Sequence, residues 1–114
     1  MQIHRGQLDT LRQVLELKYQ RELAADFRRM HPESTTSLSD ESLLSIIGTA
    51  LARARSFGVA SSTALLRYVS LAVLVSRDFD LTPEVRALFE APGMNADYKV
   101  HLLSDIVIAN LEQA

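Results

Sequence analysis

Asp78 and Asp80 flank Phe79 in the segment Arg77-Asp78-Phe79-Asp80, and theirs is the first spacing in the chain that invites chemistry. Two carboxylates one residue apart can share a divalent cation. A calcium loop also needs further oxygen ligands, a turn glycine and a distal glutamate, and this stretch lacks that set. The expectation is a helix exit in which Phe79 enters the core and both acids stay in water. His4, His31 and His101 lie far apart in sequence, and only His101 stands one helical turn from a carboxylate, Asp105. No serine sits in a nucleophile elbow. No glycine-rich loop is present to cradle a phosphate. With no cysteine there is no thiolate, disulfide or cysteine zinc site. These residues predict no catalytic, cofactor-binding or metal-binding site and a protein that is not an enzyme.

A second constellation is Ser56-Phe57-Gly58-Val59 followed by Ser61-Ser62-Thr63, which has the look of a helix-turn-helix corner. In that motif the second helix, with Gly58 in the turn, would bury positions near Ala64 and Arg67. The bulky apolar residues stand instead at Leu65, Leu66, Tyr68 and Val69. A recognition helix also needs a polar face that reaches base edges and phosphates, and Arg67 is the single charged residue from Ser62 to Ser76. Nucleic acid is therefore not the expected partner.

The chain has 114 residues, the usual size of one domain, so residues 1–114 are read as a single helical domain. Its net charge is −2 and its pI near 5.9, which offers little for the phosphate neutralisation that drives nucleic-acid binding. The longest apolar run, Val69 to Val75, is too short to cross a bilayer, and the polar N-terminal stretch does not resemble a signal peptide. The expectation is a cytoplasmic protein away from membranes.

The elements that would carry these residues are helical. Helix 1 is predicted from about Gln7 to Arg29, with Leu8, Leu11, Leu15, Tyr19, Leu23, Phe27 and Met30 as one apolar stripe and Leu17 pointing away from it. His31-Pro32 breaks it, and Ser34 to Ser37 reads as a polar connector. Ser39 and the acids Asp40 and Glu41 open helix 2, which runs to about Phe57 and ends at Gly58. Helix 3, Ser62 to Ser76, has almost no polar face and so belongs at the centre. Thr82-Pro83-Glu84 starts a short helix 4 that reaches Glu90. Helix 5 runs from Ala96 to Glu112, with Val100, Leu103, Ile106, Val107 and Leu111 inward. The sum is an all-α bundle of five helices, with helices 1, 2 and 5 around helix 3 and helix 4 as a brace.

Phe27-Arg28-Arg29-Met30-His31-Pro32-Glu33, then the Leu38 to Val59 segment that opens with Leu-Ser-Asp, then Leu65 to Asp80 ending in Asp-Phe-Asp, occur in a telling order. Between Leu23 and Leu81 the chain resembles a family of small bacterial helical proteins encoded beside the VgrG, PAAR and effector genes of type VI secretion systems. Members often carry a tryptophan soon after the proline, and this sequence has none. The resemblance implies a non-enzymatic co-adaptor or chaperone partner that binds an adaptor, spike protein or effector during effector loading. An immunity protein that blocks a cognate toxin is the alternative, and a DNA-binding regulator stands third. Acids interspersed with arginines favour the co-adaptor. The outer side of helix 1 with the connector, namely Arg12, Leu17, Arg21, Arg28 and Glu33, is the candidate partner surface. Arginine and apolar anchors are the residue types that dominate interface energetics. Oligomeric state is not legible.

Overall fold

The computed structural model describes residues 5–113, with side chains from Gly6 to Ala109. His4 and the Leu111 side chain lie outside that range. The fold is all-α, with no strand among the described residues. In chain order the helices are α1 (Arg5–Met30), α2 (Pro32–Thr35), α3 (Asp40–Ser56), α4 (Ser62–Leu74), α5 (Pro83–Glu90) and α6 (Ala96–Gln113), with a 3-10 turn at Phe79–Leu81. The five predicted helices are α1, α3, α4, α5 and α6. The described chain forms two compact units that divide between residues 44 and 45.

In the first unit, α1 buries Leu23 and Phe27. The rest of its predicted stripe behaves differently. Leu8, Leu11, Leu15 and Met30 are exposed, Leu15 at 55%. The reason is arithmetic. From Leu11 the stripe advances in steps of four residues, and each step turns about 400°, overshooting a full circle by about 40°. Over the four steps to Phe27 the stripe winds about 160° around the helix. A straight helix that buries Phe27 must therefore turn Leu11 away.

The connector is also more ordered than expected. Pro32 opens the single helical turn α2, the Thr36 N–H donates to the Pro32 carbonyl at 2.9 Å, and Thr35 is buried with its hydroxyl on the His31 carbonyl at 2.9 Å. Arg28 donates to the carbonyls of Thr35 (2.9 Å) and Leu38 (2.8 Å) and pairs with Asp40 at 2.8 Å. Ser39 caps α3 as predicted, its Oγ accepting the Ser42 N–H at 3.0 Å.

In the second unit, α3 buries Ile46, Ile47, Ala50, Leu51 and Ala54, and α4 buries Ala64, Leu65, Tyr68, Val69, Leu71 and Ala72. Helix α4 packs on α6, and α5 braces α6 and the 3-10 turn. Four aromatic rings knit these elements. Tyr68 meets Phe79 edge-on at 4.9 Å and Phe89 at 5.6 Å, and Phe89 stacks on Phe57 at 5.0 Å. Burial of α4 on all sides was the expectation from its composition, but Leu66 and Val75 are exposed. In α6, Val100 and Leu103 are buried as predicted, whereas Ile106 is exposed.

Candidate functional site

The carboxylate pair resolves into a structural network. Phe79 is buried as expected, but Asp80 does not stay in water: it is 3% exposed and accepts from Arg53 at 3.0 Å and from the Tyr68 hydroxyl at 2.5 Å. Asp78 remains exposed and meets the same guanidinium at 3.4 Å. The sequence hid this because Arg53 and Tyr68 stand 27 and 12 residues from Asp80. A carboxylate taken out of water must be paired or bonded, and Arg53 and Tyr68 supply the partners. Burial, reinforced by the hydrogen bond to Asp80, pushes the Tyr68 phenol far above the usual tyrosine range. Partial burial opposes the Arg53 charge, but Asp80 and Asp78 outweigh it and raise its pKa. The network joins α3, α4 and the 3-10 turn, with Asp80 and Tyr68 buried at its centre. Among the described residues, no group of three or more His, Asp or Glu side chains is placed to hold a metal ion. Asp105, one turn from His101, pairs with Arg67 at 3.7 Å.

The α3–α4 corner is built as a helix junction. Gly58 takes a φ of +89°, a left-handed conformation suited to glycine, and the Val59 N–H returns to the Ala54 carbonyl at 3.0 Å. Ser61 caps α4 through the Ala64 N–H at 3.1 Å. Of the two positions that a helix-turn-helix would bury, Ala64 is fully buried and Arg67 is half-buried. The Asp97 carboxylate of α6 accepts the N–H groups of Ala60 (2.9 Å) and Ser61 (3.2 Å). The Ala60 N–H foremost, with help from Ser61, draws the Asp97 pKa below its ordinary value. A carboxylate thus occupies the backbone donors ahead of α4, the kind of site that binds phosphate when left open. Asp97 was not singled out from sequence, because nothing local to it points across 36 residues to Ser61.

The candidate partner residues fall into three groups. Leu17, Arg21 and Arg28 lie along one seam of α1, Val14-Leu17-Arg21-Ala24-Arg28, whose alternating three- and four-residue spacing is that of a coiled-coil contact face. Two shallow depressions follow this seam: one lined by Val14, Leu17, Lys18, Arg21, Glu22 and Ala25, the next by Arg21, Ala24, Ala25, Arg28, Asp40 and Leu44. Leu17 is 41% exposed and Val14 is 58% exposed. Arg28 is committed to the connector carbonyls and Asp40, so it shapes the seam's end rather than standing free. Arg12 is exposed on another side of α1, and Glu33 is exposed on α2; neither lines these two depressions. Lys18, Ala24 and Ala25 complete the surface and were missed, although the heptad spacing from Val14 was there to find them.

A second apolar groove runs between α4 and α6 in the other unit, lined by Leu71, Leu74, Val75, Val107 and Ile108, with Arg67 at its rim. Comparison with family models, with curated proteins and with solved structures returns no match.

Proposed function

We propose that this chain is a non-enzymatic protein-interaction module that docks a partner on the α1 seam. The observation that carries this reading is the exposed apolar pair on the seam, Val14 and Leu17, beside the two depressions that follow it. Isolated exposed leucines are ordinary, but exposed apolar side chains that together line a depression are of the kind that marks interaction sites. No helix among the described residues is long and apolar enough to cross a membrane.

The resemblance between Leu23 and Leu81 supports a specific form of this reading: a co-adaptor or chaperone partner that binds an adaptor or spike protein in type VI effector delivery. An immunity role would use the same kind of surface on a toxin domain. A DNA-binding role has less in its favour, because Asp97 sits on the backbone donors ahead of α4 and Arg67 is drawn to Asp105.

The test is affinity capture of the tagged full chain from its native bacterium, beside Leu17→Asp and Ala25→Glu variants, with mass spectrometry of what co-purifies. An adaptor or spike protein held by the parent and lost from both variants supports the loading role. A lone toxin domain would move the reading to immunity. A partner captured equally by all three proteins would remove the α1 seam from the account.

A further inference from the structure

The α1 seam has a charge pattern as well as a shape, and the pattern selects an occupant. Lys18 and Arg21 are exposed beside Val14 and Leu17, and neither takes part in an ion pair among the described residues. Glu22 stands one turn from Lys18 and lines the same depression, whereas Asp9 and Glu16 stand at other azimuths. At about 100° per residue, they lie roughly 80° to 160° from Leu17 and Val14, toward the direction of Leu23 and Phe27. The first depression of the seam therefore presents apolar contacts together with two cations and one acid, a net positive charge. Further along, Ala24 and Ala25 leave a dip beside Leu44, where a second helix can approach closely.

Resting on the reading of α1 as a docking surface, we infer that its occupant is an amphipathic helix of a partner protein whose apolar stripe is flanked by carboxylates. Apolar side chains at three- and four-residue spacing fill the positions facing Val14, Leu17 and Ala24. Glutamates or aspartates on the flank meet Arg21 and Lys18. Such pairs set partner choice and register in helix pairing. An anionic membrane offers negative charge too, but Glu22 and Asp40 line the same depressions and would face the headgroups. A helix can place its acids opposite Lys18 and Arg21 and leave Glu22 and Asp40 clear; a uniformly anionic surface cannot.

The experiment is an amide-shift titration of the isotope-labelled full chain with two synthetic helical peptides. Both carry leucines at three- and four-residue spacing; one has glutamates on the flanks and the other lysines. The glutamate peptide is expected to shift amides across residues 14–28. It should bind about five- to tenfold more tightly than the lysine peptide at low salt, a gap that closes near 0.5 M salt as exposed pairs are screened. Lys18→Glu with Arg21→Glu should invert the preference. Equal affinity of both peptides on the seam would leave the docking surface standing and overturn the acidic occupant. No shift with either peptide would overturn both. Shifts confined to residues 66–75 and 104–108 would transfer the interaction to the α4–α6 groove. Binding to phosphatidylglycerol vesicles without peptide binding would replace the helix by a membrane.

Discussion

Asp80 is the residue whose environment most departs from its sequence context. Removing its carboxylate with Asp80→Ala leaves the Tyr68 hydroxyl buried without a partner and Arg53 without its inner counter-charge. Breaking a buried pair costs about 3–5 kcal/mol. Arg53 is a third exposed, so the expected loss in urea unfolding is lower, about 2–4 kcal/mol. Tyr68→Phe, which keeps the ring contacts, should cost about 1 kcal/mol. The raised Tyr68 pKa adds a pH signature. Its proton is held more tightly in the folded state, so its contribution is complete below the unfolded value of about 10 and declines as pH rises above it. The slope approaches about 1.4 kcal/mol per pH unit only above about pH 10, and Tyr68→Phe should remove this contribution in unfolding curves recorded between pH 9 and 11. Asp97 has the opposite sign. Its folded pKa is depressed, so its contribution is present above about pH 4 and is lost as pH falls through the folded value. Asp97→Asn should therefore destabilise at pH 7 by about 1–2 kcal/mol, and the difference from the parent should vanish in acid.

Helix α1 shows how an element can read correctly and be assigned the wrong face. Its span and its apolar residues are plain in the sequence, yet a stripe of four-residue steps winds around the helix and cannot be buried on one side. The consequence is measurable. Leu23→Ala and Phe27→Ala should each cost about 2–5 kcal/mol in chemical unfolding. Leu11→Gln and Leu15→Gln should change stability by less than about 0.5 kcal/mol, because those side chains are already in water. Equal costs at all four positions would mean that α1 is covered along its whole length. At the α3–α4 corner, Gly58→Ala meets only ordinary contact, 3.7 Å to the Ala96 Cβ, so its expected cost of about 1 kcal/mol comes from the left-handed backbone.

For the molecule as a whole, the docking reading separates binding from stability. Leu17→Asp should abolish partner capture while moving the thermal midpoint by no more than about 2 °C, since an exposed substitution away from caps and pairs is nearly neutral. Scanning calorimetry beside the capture experiment checks both halves. The sequence by itself determined what is local. Helix spans follow from residue periodicity over a few turns, and the ends of α3 and α4 from Ser39, Gly58 and Ser61, whose side chains or backbone act within four or five residues. Only the tertiary structure decided the rest. Asp80 finds Tyr68 and Arg53, Asp97 finds Ala60 and Ser61, and Lys99 is buried with its ammonium on the Phe89 and Ala91 carbonyls. A charge is stable in such a place only if its partners arrive with it, mostly from other elements, and periodicity along one helix carries no record of what another helix brings.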